Sequence, residues 1–504
     1  MLLETRTIPQ AQIPRSLQNR ALQPRANTST TVTSLSNSHY TVNITIGGCV
    51  ATFLMVFSSD LWVAGNIPNK QSLGKSATVT YAQGSASGDV NTAAVELSGY
   101  NVSDQAFIFV ADFSATGFGD PSTTEFSGLI GLGPSSSSVI HTAIGQSTGD
   151  PFLDRVFRQN TSTPNFITFL LSRAGDSAEN IQGQLTIGEV VPGFENVTSQ
   201  PKVPVNALPG PAKVDQHWSG LLDTIYGPDG QSIPLDSVVA GTAANKLVSI
   251  FDSGFTLPQV PRSVSDAIYG RVQGAEFDTQ NGVWGIPCDQ EVNLTIAIGG
   301  QNYTVHPLDT SSSDLNYTTP SGKPACVGTF QPISTALDGT FDAVMGMAFL
   351  RNTYTSINFG DFVDGNPENQ GDPFLQLLSI TNAAQAHKDF VTTRLNGVDT
   401  TGDSAHALLP PSQAQHSPES NTEKAKNIFF RNWPYILAGV GGVLLLAVGF
   451  CLYRCCCRRR AARGRGGLVA GPYRPLHDPA PAPAMDLHAM GPPQGAYSDP
   501  YYRG

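Results

Sequence analysis

From His39 to about Thr392 the chain alternates short apolar runs with clusters of Gly, Asn and Ser. "HYTVNITIGG", "VTYAQGSASGDV" and "VNLTIAIGGQNYTVHPL" set apolar and polar residues in turn between such clusters. Successive strand side chains point to opposite faces, so this pattern predicts β-strands and hairpins. One interruption, "DPFLDRVFRQN", carries its apolar residues at helical spacing and predicts a short helix. The body is read as an N-terminal lobe over 39–200 and a C-terminal lobe over 201–392. Residues 1–38 are polar and predict a disordered segment, a candidate pro-segment remnant. Residues 393–430 lose the periodicity and gain Ser, Gln, His and Pro, which predicts a stalk.

The two lobes carry a faint internal repeat. "FLMVFSSDLWV" (53–63) and "FSGLIGLG" (126–133) in the first half match "LVSIFDSGFTLPQVP" (247–261) and "FDAVMGMAFL" (341–350) in the second. Each half brings an apolar strand into a Ser- or Gly-bearing turn and later adds a hydrophobic–hydrophobic–Gly signature. Similar lobes facing one another across a cleft are the economical arrangement.

Charge changes the picture at the C-terminal end. Residues 1–430 hold 20 Lys+Arg against 37 Asp+Glu and residues 431–504 hold 9 against 3, giving −17 and +6. An acidic body argues against nucleic acid as a partner. Between body and tail, "WPYILAGVGGVLLLAVGFCLY" (433–453) has no charge and the length to span about 30 Å of hydrocarbon. "RCCCRRRAARGRGG" follows at once, and its arginines put the basic, Pro-rich tail (454–504) in the cytoplasm. The expectation is a single-pass membrane protein at the plasma membrane or in the secretory pathway, its N-terminal domain extracellular or lumenal. A large translocated domain calls for a signal peptide, yet "MLLETRTIPQAQIPRSLQNRALQPR" has no apolar core. Eight N-x-[ST] sequons, at Asn27, Asn43, Asn101, Asn160, Asn196, Asn293, Asn302 and Asn316, all precede the span and are candidate glycosylation sites. Cys451 and Cys455 to Cys457 lie in or beside it, the last three open to S-acylation or left as plain thiols. Cys49 has no evident partner and is either a small buried residue or a free thiol. The His residues show no metal-ligand spacing, so neither a metal nor a cofactor is expected.

Taken together, residues 38–392 resemble a pepsin-like aspartic peptidase. Asp252-Ser253-Gly254 resembles the second catalytic Asp-Thr/Ser-Gly triplet, and "SSDLWV" the end of the first Asp-Thr-Gly-Ser-Ser-Asp-Leu-Trp-Val motif. "FSGLIGLG" resembles the family's Phe-Asp-Gly-Ile-Leu-Gly-Leu-Gly segment with Ser127 for its Asp, and "VMGMAFLR" a later segment with Met347 for Asp. Tyr81 falls where the flap tyrosine lies, although a strand aromatic would also suit that position. The resemblance implies an all-β, bilobal acid-protease fold with a central cleft, a Cys288–Cys326 disulfide, a monomer, and an extended polypeptide as substrate or ligand.

The family's chemistry needs one carboxylate from each lobe. At about 3 Å apart two such groups cannot both ionise, so they share a proton. The ionised acid takes a proton from water while the other polarises the scissile carbonyl. Here the first acid is missing. Read without a gap, Met55-Val56-Phe57 replaces the triplet; read with one, Phe57 alone links "FLMV" to Ser58, the shoulder of the loop. Asp60, the only acid nearby, belongs by the resemblance to the outgoing strand. Phe255 stands where a supporting hydroxyl is usual, with Thr256 one place later. Asp252 is therefore the surviving member of the pair, and the chain as written is expected to be inactive. It is either an acid endopeptidase whose coding sequence is interrupted at this loop, or a true pseudoprotease binding a peptide or polymer at the cell surface.

Overall fold

A computed structural model describes residues 29–81, 84–119, 124–173, 182–333, 339–363 and 371–419. All of them fall in the first of two compact units, Met1–Lys424. Among them no helix is long and apolar enough to cross a membrane. The span read at 433–453, the tail, Asn27 and the four cysteines from Cys451 onward lie outside the described residues.

The alternating text does form strands. In His39–Ile46 the side chains of Tyr40, Val42, Ile44 and Ile46 are buried while Asn43 is exposed. Leu247–Phe251, an unbroken run, is buried at all five positions, as a strand covered on both faces must be. Phe152–Gln159 is the expected short helix. The end of the segment 1–38, read as disordered, is instead a strand: Ser29–Leu35 pairs antiparallel with His39–Ile46 and Gly183–Ile187, its Thr and Val residues suiting a strand although only Val32 is buried.

A 13-stranded sheet runs through the N-terminal half and across into the C-terminal half. The crossing is a backbone ladder: Thr353–Asn358 pairs antiparallel with Phe166–Leu170, Ile357 opposite Ile167. Beneath it one apolar cluster includes Phe57, Phe169, Trp218 and Phe359, with the Trp218 and Phe359 rings 4.7 Å apart. The remaining C-terminal strands form a five-stranded and two four-stranded sheets.

The repeat is visible in the hydrogen bonds. Cys49–Val56 lies parallel to Gly128–Gly131, and Leu247–Phe251 lies parallel to Ala343–Met345. Ser127 N–H donates to Thr52 O at 2.8 Å, and Asp342 N–H to Val248 O at 2.7 Å, at matching positions.

Cys288 and Cys326 are bonded to each other, and Cys49 is a free, exposed thiol, not a buried one. Of the described sequon residues, Asn43, Asn101, Asn196, Asn293, Asn302 and Asn316 are exposed. Asn160 is half-buried and donates to Val156 O at 3.0 Å.

The segment read as the start of a stalk is, as far as residue 419, a strap packed on the C-terminal lobe. After the helix Ala383–Arg394, Leu409 N–H donates to Arg271 O and Gln415 N–H to Gly270 O, both at 2.8 Å. The Ser417 hydroxyl donates to Asp266 at 2.6 Å. These ties are polar and involve much backbone, so no apolar period marks them.

Candidate active site

Asp252 follows the strand Leu247–Phe251 directly, and its N–H donates to Met345 O at 3.1 Å. The residue is 8% exposed. Its Oδ1 accepts the N–H of Gly254 at 2.8 Å and that of Phe57, from the other lobe, at 3.2 Å. Its Oδ2 accepts no hydrogen bond from a described residue. Burial pushes the Asp252 carboxyl above the usual carboxylate range, opposed by the Gly254 N–H, the charge of His217 and the Phe57 N–H.

Strand register identifies what faces this acid. In the C-terminal lobe Phe251 pairs with Met345, and Gln259 with Val344. In the N-terminal lobe Met55 pairs with Ile130, and Trp62 with Leu129. The connection 56–61 is thus one residue shorter than its counterpart 252–258, a result between the ungapped and gapped readings of the sequence. Val56 follows Met55 as Asp252 follows Phe251. A Cβ built on Gly254 would stand 3.2 Å from Asp252 Oδ1 and 3.3 Å from Val56 Cγ1, so the acid and the valine flank the same glycine.

The shortened loop is packed. Phe57 is 1% exposed and its ring lies 4.9 Å from that of Phe169. Ser253 Oγ donates across the lobes to Met55 O at 3.0 Å. Gly131 and Gly346 allow the close approach of the two turns: a Cβ at Gly346 would sit 2.2 Å from Phe255 O, and one at Gly131 2.5 Å from Ser58 O.

Asp60 is turned away from the site. Its carboxylate accepts the Ser138 hydroxyl at 2.7 Å and the N–H groups of Val139 and Ile140 at 3.1 Å, capping the helix Val139–Ile144. Thr256 does not support Asp252 either; its hydroxyl donates to Ser38 O at 2.7 Å.

Tyr81 ends the strand Gln71–Thr80, and its N–H donates to Gly84 O at 3.0 Å. Its ring packs 5.5 Å from that of Phe118, in the cluster that holds Val56 and Trp62. Its hydroxyl lies beside Trp62 Nε1 and Ser58 Oγ, and all three atoms are sealed without a partner in hydrogen-bond geometry. Burial holds the phenol well above its ordinary range, reinforced by Asp60 and Asp252.

Sequence reasoning did not find His217. Ser219–Leu222 runs antiparallel to Leu247–Phe251 with Ser219 opposite Ile250, and Phe251 N–H donates to Trp218 O at 2.8 Å. Half-buried His217 directly precedes Trp218, and its charge is among the influences on Asp252.

A model of the eukaryotic aspartyl protease family matches residues 39–362. The chain belongs to that family. It is 26% identical over 387 residues to major aspartyl peptidase 1 of Cryptococcus neoformans var. grubii, covering 70% of this chain and 75% of that one. It is 24% identical over 376 residues to cathepsin D of Dictyostelium discoideum, covering 69% and 88%. The aspartic proteinase from Irpex lacteus has a similar fold, with a TM-score of 0.52 at 19% identity over 70% of this chain and 98% of that one. The mostly-β pepsin-like fold and a cleft suited to polypeptides come with the family. In this chain Asp252-Ser253-Gly254 follows one of the two matching strands, Leu247–Phe251, and Val56-Phe57 closes the other, Cys49–Val56.

Proposed function

We propose that this aspartyl protease family member is a membrane-anchored protein whose cleft holds an extended polypeptide and, in the chain as written, does not hydrolyse it. The observation that carries this reading is the pairing of Asp252 with Val56 across Gly254. Aspartic catalysis needs a base for water and a proton donor for the carbonyl at the same moment. A lone carboxyl is one or the other, and a valine methyl supplies neither. Buried Phe57 and the Ser253–Met55 bond support a loop that holds its shape without the acid.

The anchor rests on the uncharged run 433–453 and the arginines after it, and the exposed sequons fit a glycosylated outer domain. The protein is read as a monomer. Retention in the membrane pellet after alkaline extraction, with a glycosidase-sensitive mass, is the expected result; release into the supernatant overturns the anchor.

An acid-pH peptide-cleavage assay on the purified full-length chain tests inactivity. Turnover that Asp252→Asn abolishes would overturn it. The second reading, an active acid endopeptidase with a misassigned coding sequence, is favoured by the one-residue shortening between strands whose register is otherwise kept. Transcript sequence encoding Asp-Thr-Gly between Leu54 and Ser58 would establish it.

A further inference from the structure

The family's paired acids share one proton and carry one negative charge between them. Here a single buried carboxyl has an apolar neighbour in place of its twin. Oδ1 is engaged by two N–H groups, whereas Oδ2 is left without a protein donor among the described residues. No Lys or Arg is among the groups that bear on Asp252. The elements around it contribute Met55, Val56 and Phe57 from the first loop and Met345, Gly346 and Met347 from the late turn, none ionisable. The flap contributes Tyr81, a neutral phenol, and the segment before the strand Ser219–Leu222 contributes His217. An ionised carboxylate in such surroundings calls for a counter-charge.

Resting on the polypeptide-binding reading above, we propose that Asp252 forms a charge-selective seat in the cleft, which takes a cationic side chain of a bound polypeptide at neutral pH and releases it in acid. A lysine ammonium or arginine guanidinium can donate to Oδ2 in a charge-assisted bond. Lowering the pH protonates the carboxyl, which then no longer attracts a ligand cation. Burial, by raising the Asp252 carboxyl above its ordinary range, widens the pH range over which it is neutral.

The test uses the full-length chain in detergent and fluorescent peptides differing only by lysine or norleucine at one position, scanned along the peptide. At about pH 7.5 one register should favour lysine by about 10- to 100-fold, the worth of a hydrogen bond to a charged group. At about pH 3, below the ordinary carboxyl range, the preference should be largely lost. Asp252→Asn should erase the preference at neutral pH, and its thermal unfolding reports that the variant is folded. Binding with no lysine preference in any register, or a preference that survives Asp252→Asn, overturns the charge-selective seat alone. Failure of every peptide to bind overturns the polypeptide-cleft reading as well.

Discussion

The N–H of Phe57 donates to Oδ1 of Asp252 at 3.2 Å, joining two loops 195 residues apart in the chain. The turn after Cys49–Val56 places Val56 and Phe57 beside Asp252, and it supplies a backbone donor to that acid from the other half of the repeat. On the proposed reading, a loop without an acid still supports the acid it faces.

Restoring the reactive role takes an added residue as well as a carboxylate. Replacing Val56-Phe57 by Asp-Thr-Gly gives residues 56–61 the length of 252–258. This variant should cleave peptides at acid pH at least about 100-fold faster than the parent, the lower range for positioned acid–base groups. Val56→Asp alone should stay within about 10-fold of the parent, because the donor now at Phe57 has no room to shift. Initial rates on a quenched peptide decide between them.

Asp252→Asn should stabilise the protein at neutral pH. The folded-state carboxyl titrates above its unfolded value, so the folded state binds the proton more tightly and stability falls as pH rises through that window. The amide removes this penalty. Thermal unfolding should show a higher Tm than the parent at about pH 7.5 and little difference at about pH 3, where the Asp252 carboxyl is mostly protonated in the folded and unfolded states alike.

Asp309 should behave in the opposite way. It is buried between Arg173 and Arg351, accepting Arg351 Nε at 2.7 Å and Asn352 Nδ2 at 3.0 Å. Against the opposing effect of burial, the two guanidinium groups hold its carboxyl well below the usual range. Its contribution is present above the unfolded pKa and is lost only as pH falls through the folded one. Asp309→Asn leaves two buried cations short of a charge and should destabilise by about 3–5 kcal/mol at neutral pH. Denaturant titration measures it.

The strap should loosen as pH rises. His387 Nδ1 contacts Glu291 at 3.0 Å, and its Nε2 contacts Asp399 at 3.2 Å where the strap begins. These carboxylates, Glu291 foremost, raise the imidazole above its ordinary 6.5. The charged pairing is complete below 6.5 and fades as pH passes the folded value. Hydrogen exchange in residues 395–403 should accelerate above that value, and His387→Gln should flatten the dependence.

The strands, the bilobal repeat and Asp252 were legible because apolar alternation and the Asp-Ser-Gly turn are local. Three features were not. "FLMVF" is apolar throughout, so sequence alone left Met55 and Phe57 both standing for the missing triplet; only pairing with Ile130 and Leu129 assigns Val56. His217 bears on Asp252 only because Ser219–Leu222, which follows it, pairs with Leu247–Phe251 across a long connection. Asp60 found its partners in the N–H groups of a helix that begins at Val139.

The strap also sets a length of leash. Counted along the chain, 14 residue steps separate residue 419, where the docked strap ends, from Trp433, a contour length of at most about 50 Å. Counted from Arg394, as after release of the strap, the steps are 39 and the contour length up to about 140 Å. Under the proposed anchor at 433–453, docking and release of the strap would thus be a nearly threefold change in the length of free connection.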